Sequence, residues 1–198
     1  MADFNSAYTK TARAEGGYAN NPVDRGGETW NGISRKYHPK WVGWSTVDAA
    51  KKQANFPKNL AGNTQLAADE KLFYQTTFWD VMRLSQCPDQ AVAEELYDTA
   101  VNMGVGKAVS FLQRSLNTFN RSAELFKPDL KPDGGYGNLT HGALLAFYAN
   151  TPKSRHNILY KALNCLQGSE YIRLADGDSA QRAFTQGWFI NRVFQHYS

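Results

Sequence analysis

The stretch Glu15-Gly-Gly-Tyr18, followed by Asp24-Arg-Gly-Gly27, Thr29 and Gly32-Ile33, decides how this chain is read. Five glycines (Gly16, Gly17, Gly26, Gly27 and Gly32) fall within seventeen residues. Such density lowers backbone order unless the glycines serve positive φ or the close approach of another group. Glu15 and Asp24 stand nine positions apart across this turn system. Facing each other over a cleft, one carboxyl would donate a proton and the other would activate a water, the arrangement that glycoside hydrolysis uses.

Working outward, Phe4, Tyr8, Thr11 and Glu15 recur at helical spacing beside Ala7 and Ala12, with Asp3 or Asn5 available as the cap. Gly16-Gly17 would end that helix and leave Glu15 at its terminus, where a cleft can form. From Tyr18 to Ile33, Pro22, the glycine pairs and short apolar dipeptides predict a small hairpin or an irregular loop. Ser45-Thr-Val-Asp48 reads as a capping box opening a helix toward Pro57. Leu66, Leu72, Phe73 and Phe78 mark a longer helix capped by Asn63 or Thr64.

Beyond residue 89 the pattern is almost purely helical. Val92, Leu96, Ala100 and Met103 form one stripe, stopped by Gly104; Val109, Leu112, Leu116 and Phe119 form the next. A Pro/Gly/Asp-rich loop from Lys127 to Thr140 precedes helices expected near 141–150, 154–167 and 179–196. Leu144, Leu145 and Tyr148 would line the first of these, Ile158, Leu159, Ala162 and Leu166 the second, and Phe184, Trp188 and Phe194 the last. The expected fold is mainly α with a small β-hairpin element near residues 17 to 33.

Length, charge and cysteine usage bound the function. A chain of 198 residues supports one domain, or two small ones sharing a core. Its 22 Lys and Arg against 18 Asp and Glu give a net charge of +4, scattered without long runs, which disfavours nucleic acid and suits a polyanionic surface such as a bacterial envelope. Cys87 and Cys165 read as reduced thiols rather than a disulfide framework. Met1-Ala-Asp-Phe-Asn-Ser lacks the basic and apolar regions of an export signal, and no apolar run approaches a membrane span. Synthesis in the cytoplasm is expected, with release to an external substrate supplied by something else.

Each candidate residue also has a plainer reading. Glu15 alone is an ordinary solvated helix-end carboxylate; in a partly apolar cleft, its pKa would rise from about 4.3 toward about 6, a differential of roughly 2.3 kcal/mol, and it would donate a proton near neutrality. Asp24 beside Arg25 reads as a turn residue accepting backbone hydrogen bonds, and Thr29 as a β-branched strand residue. As site members, Thr29 would orient a water that Asp24 deprotonates. Asp98 and Asn102 lie four apart on one helical face, placed either to brace backbone or to contact sugar. Asp133-Gly134 lacks the acidic pattern of a calcium loop and reads as a turn. His38, His141, His156 and His196 have no metal-ligand spacing, Ser34 stands in no nucleophile elbow, and neither cysteine reads as activated. No metal or organic cofactor is expected.

Glu15-Gly-Gly-Tyr, then Asp24-x-Gly-Gly-x-Thr29-x-x-Gly32-Ile33, closely resembles the signature of glycoside hydrolase family 108, a group of phage and bacterial N-acetylmuramidases related in fold to phage-type lysozymes. In phage-type lysozymes the corresponding Thr comes one residue later. Leu96-Tyr-Asp98-Thr-Ala-Val-Asn102-Met-Gly104, Phe111-Leu-Gln113-Arg-Ser-Leu-Asn117, Asp133-Gly-Gly-Tyr-Gly-Asn-Leu-Thr140 and Gly187-Trp188-Phe-Ile-Asn191-Arg192 are similar to the predicted peptidoglycan-binding region that accompanies this family.

The resemblance implies a lysozyme-like α+β fold with a catalytic region over 1–85 and a helical peptidoglycan-binding-like region over 86–198, packed as one unit. It implies that Glu15 is the catalytic acid; the reading of the residues adds Asp24 as base with Thr29 assisting, and Tyr18, Asp98 and Asn102 as substrate contacts. Glu28, at a variable position of the motif, is left as a bystander. The implied activity is hydrolysis of the β-1,4 bond between N-acetylmuramic acid and N-acetylglucosamine by a monomeric phage endolysin, bacteriolytic once a holin opens the membrane. Two other readings remain open at this stage. One is a lytic transglycosylase using the same Glu15, and the other a non-catalytic wall-binding protein carried by the helices after residue 89.

Overall fold

The computed structural model describes residues 1–12, 16–20, 27–121 and 124–193. The described residues are mainly helical with one three-stranded antiparallel sheet, and the packing divides into two compact units, Tyr8–Thr77 and Met1–Ala7 with Phe78–Ser198.

In the first unit the sheet runs in the order β1 (Tyr18–Asn20), β2 (Glu28–Trp30), β3 (Ile33–Ser34). Tyr18 pairs with Trp30 and Asn20 with Glu28; Trp30 then pairs with Ile33 across the two-residue turn Asn31-Gly32. Both turn residues have positive φ, 41° and 81°, the conformation that matches the right-handed twist of paired strands and that Asn-Gly adopts at least cost. Alternation along so short a sheet puts Tyr18, Glu28, Trp30 and Ile33 on one face and Ala19, Thr29 and Ser34 on the other. Trp30 and Ile33 are buried, so the first face is the core side.

Helices α1 (Phe4–Ala12), α2 (Gly43–Lys51) and α3 (Thr64–Tyr74) surround the sheet sequence, and α1 contributes to this unit from Tyr8 onward. The Asp3 carboxylate accepts from the Ser6 N–H at 2.9 Å, so Asp3 rather than Asn5 caps α1. Helix α2 starts at Gly43, two residues before the expected capping box. Ser45 instead donates its hydroxyl to the Val42 carbonyl, and Asp48 is taken by Arg35 through two hydrogen bonds of 3.0 and 2.7 Å, so the box has no free carboxylate. It also stops at Lys51, short of Pro57. Asn63 caps α3 through Leu66 N–H as expected. The buried face of α3 is Leu66, Glu70 and Tyr74, while Leu72 is exposed. A wider π turn over Gln75–Trp79 continues the helix.

The second unit packs α4 (Gln90–Met103) against α5 (Val105–Phe119) and α7 (Asn157–Gly177), with α6 (Asn138–Asn150) on α5. α8 (Arg182–Trp188) and the π turn Phe189–Val193 rest on α7. Leu96, Leu112, Leu116, Leu144 and Leu159 are each at most 1% exposed; burial of each contributes roughly 1.5–3 kcal/mol. The first turn of α1 belongs here. Phe4 meets Trp79 and Tyr97 edge-on, and Ser6 donates to Glu94 at 2.8 Å.

α7 runs ten residues past its expected end at 167. Gly168 alone costs a helix about 1 kcal/mol, but the buried face Leu159, Leu163, Gln167, Tyr171 and Ala175 continues through it and outweighs that cost. Gly168 itself is buried beside the Phe189 ring. The α5–α6 loop is tied by Gln113, whose amide donates to Asp133 Oδ1, the Gly135 carbonyl and Thr140 Oγ1, each at 3.1 Å, and accepts from Gly134 N–H at 3.0 Å. Gly134 has φ +77°, and a Cβ there would stand 2.6 Å from the Gly106 carbonyl oxygen, so only glycine fits. Asp133 also accepts from Gly135 N–H at 2.9 Å, the geometry of a turn rather than a metal loop.

Candidate active site

The chain around the motif is organised by one asparagine and one buried glutamate. Asn31 N–H donates to the Gly17 carbonyl at 2.9 Å, and Gly17 N–H donates back to Asn31 Oδ1 at 2.6 Å. Asn31 Nδ2 donates to Glu70 Oε2 at 2.8 Å, and the Asn31 carbonyl accepts from the Tyr74 hydroxyl at 2.7 Å. Glu70, 7% exposed, also accepts from Tyr8 at 2.9 Å and from the Trp30 indole at 2.9 Å. Burial and the Glu70 charge raise the Tyr8 phenol above its ordinary pKa, keeping it a donor. Three donors on one buried carboxylate offset the desolvation that would otherwise exclude it from a core.

A second cluster gathers on the core side of the sheet. Glu28 meets Arg35 at 2.8 Å and Lys51 at 2.5 Å, with a side chain only 13% exposed. These are ion pairs by distance; Glu28 Oε1 and Arg35 Nε lack aligned hydrogen-bond geometry. Burial works to lower the Lys51 and Arg35 pKa values, but the charges of Glu28 and Asp48 and the hydrogen bonds to Asp48 outweigh it, and both cations shift upward. Tyr18 shifts upward through burial first and the Glu28 charge second, with Lys51 opposing. Its ring lies edge-on to Phe56 at 4.6 Å.

Among the expected site residues, Glu15 and Asp24 lie outside the described residues. Thr29 is half-buried in β2, on the sheet face opposite Tyr18. The two are therefore adjacent in register but not on one surface. Asp98 and Asn102 sit on α4 in the other unit. The Asp98 carboxylate accepts from Arg192 at 2.6 Å and from Gln167 at 2.9 Å, and exposed Asn102 donates to the Asp98 backbone carbonyl at 2.7 Å. Next to Asp98, Glu95 is 4% exposed and its pKa is raised to about 8, by burial first and the Asp98 charge second, with the Asn164 hydrogen bond opposing. Among the described residues, no cluster of three His, Cys, Asp or Glu is arranged to hold a metal ion.

Sequence reasoning passed over Asn31, Glu70 and Glu95. For Asn31 a signal existed, the Asn-Gly pair between alternating residues. Glu70 and Glu95 look like any helical glutamate until their packing is known.

The family model described as glycosyl hydrolase 108 matches residues 8–104, and the predicted peptidoglycan domain matches 107–193. Over residues 8–104 the chain belongs to the glycosyl hydrolase 108 family. It is a glycoside hydrolase, and its two matched regions make it a peptidoglycan hydrolase with peptidoglycan as partner. The solved structure of SagA from Brucella abortus is similar in fold, with a TM-score of 0.58 at 22% identity, covering 96% of this chain and 88% of that one. Comparison with curated proteins gives no match. The family boundary falls between 104 and 107, whereas the packing boundary falls between 77 and 78, so α4 belongs by sequence to the hydrolase match and by packing to the C-terminal helices. No described helix is long and apolar enough to cross a membrane.

Proposed function

We propose that this glycosyl hydrolase 108 member is an N-acetylmuramidase that hydrolyses the β-1,4 bond between N-acetylmuramic acid and N-acetylglucosamine. The observation that carries the reading is the hydrolase match over 8–104, which contains the whole Glu15-to-Ile33 motif. The paired strands β1 and β2 that flank the Asp24 segment in sequence support it. In the proposed reaction Glu15 protonates the glycosidic oxygen as the bond to the anomeric carbon breaks. Asp24 takes a proton from the water that attacks that carbon, and Thr29 orients the water. The products are a reducing muramic end and a free glucosamine 4-hydroxyl.

Tyr18, Asp98 and Asn102 are proposed sugar contacts, Tyr18 through its ring and Asn102 through its exposed amide. The helical C-terminal region is proposed to hold wall, helped by the net charge of +4. The proposed setting is that of a monomeric phage endolysin made in the cytoplasm and released by a holin, which rests on the resemblance of the motif to phage enzymes.

The test is mass spectrometry of products from purified peptidoglycan digested by wild type, Glu15→Gln and Asp24→Asn. Reducing muramic ends that disappear in Glu15→Gln and fall steeply in Asp24→Asn are expected. Anhydro-muramic ends, with Asp24→Asn fully active, would replace hydrolysis by transglycosylation. No soluble muropeptide from any variant would leave only wall binding.

A further inference from the structure

We propose that Asn31 and Glu70 are positioning residues for the catalytic acid, an inference that rests on the reading of Glu15 as that acid. Gly17 follows Glu15 by two residues, so covalent geometry keeps their Cα atoms within about 7.6 Å. Gly17 is gripped at both of its backbone polar groups by the single residue Asn31, at 2.6 and 2.9 Å. Gly17, two positions after Glu15 in sequence, is thus held by the Asn31 side-chain oxygen and the Asn31 backbone N–H together.

The Asn31 side-chain amide works only one way round. Its oxygen must face the Gly17 N–H and its nitrogen must face an acceptor. Glu70 Oε2, at 2.8 Å, supplies the acceptor. Glu70 is in turn oriented by Tyr8 from α1 and Trp30 from β2, so the relay ties α1, the sheet and α3 to the segment beside the acid. Asn31 also occupies φ +41°, which asparagine tolerates well, and Tyr74 holds its carbonyl at 2.7 Å. Every polar group of Asn31 is engaged. A buried glutamate is a costly way to fill a core position, and an apolar residue there would leave Asn31 Nδ2, Tyr8 and Trp30 without this acceptor.

The experiment compares Asn31→Gly, Glu70→Gln and Glu15→Gln in the full chain. Asn31→Gly keeps the positive φ and deletes only the amide. Glu70→Gln keeps the shape and replaces one accepting oxygen with a donor. Circular dichroism reports folding; kcat, KM and the pH profile on soluble glycan strands report the site. A folded Asn31→Gly with kcat down about 10- to 100-fold, KM within about two-fold, and a displaced high-pH limb is expected, because small misplacement of a catalytic group costs on that scale. Glu70→Gln is expected to move kcat and the pH limb in the same direction by less.

A folded Asn31→Gly with wild-type kcat and pH profile would overturn the inference. If Asn31→Gly does not fold, wild-type values in Glu70→Gln overturn it instead. Glu15→Gln separates the two levels. An active Glu15→Gln removes the acid assignment and the inference with it, whereas a dead Glu15→Gln beside a wild-type Asn31→Gly removes the inference alone.

Discussion

Replacing Glu95 with glutamine should make the second unit more stable, and by an amount that grows with pH. Glu95 is 4% exposed, its Oε1 has no hydrogen-bond partner among the described residues, and Asn164 reaches Oε2 only at 3.5 Å. Burial and the nearby Asp98 charge raise its pKa from 4.5 to about 8. Because the folded value lies above the unfolded one, the native state binds a proton that the unfolded chain has already released. The stability linked to that proton is complete below pH 4.5 and is lost as pH rises through about 8. Within that window the slope is about 1.4 kcal/mol per pH unit, so wild type loses roughly 4 kcal/mol between about pH 5 and about pH 8.

The glutamine variant has the same shape and no titration. Groups remote from Glu95 contribute equally in both proteins and cancel in the difference. Urea unfolding of wild type and Glu95→Gln at intervals across this range measures it directly. The expected result is a stability difference that widens in favour of the variant with rising pH and levels off above about pH 8. A difference that stays constant within about 0.5 kcal/mol would show that Glu95 titrates as an ordinary exposed carboxyl, and would refute the reasoning.

Gln113→Ala removes three donated bonds and one accepted bond that hold the 131–137 loop against α5 and α6, so a loss of about 2–3 kcal/mol by urea unfolding and faster proteolytic cleavage within that loop are expected. Glu28→Gln leaves Arg35 and Lys51 without the carboxylate between them; a loss of about 1–3 kcal/mol is expected alongside near wild-type release of muropeptides, and abolished release in a folded variant would make Glu28 part of the chemistry.

Much of the helical half was legible because its core is periodic. The stripes Val92, Leu96, Ala100 and Val109, Leu112, Leu116 mark helices that bury those residues, and Gly104 separates them. Boundaries fared less well where a local signal met a tertiary competitor. The capping box at Ser45 yields to the Arg35–Asp48 pair, and the expected stop before Gly168 yields to a buried face that continues to Ala175. Leu72 and Phe184 fit a helical period yet are exposed, since period alone does not say which stripe a neighbour covers.

The sequence by itself determined the family motif from Glu15 to Ile33 and the mainly helical character, because each is written in residues close along the chain. Only the tertiary structure decided which carboxylates are buried and what they hold. Glu70 meets Tyr8 across 62 positions, and Asp98 meets Arg192 across 94. Burial, ion pairing and the pKa of Glu95 are properties of those long-range neighbours. A glutamate on a helix carries no local mark of whether water or a donor from a distant segment will face it.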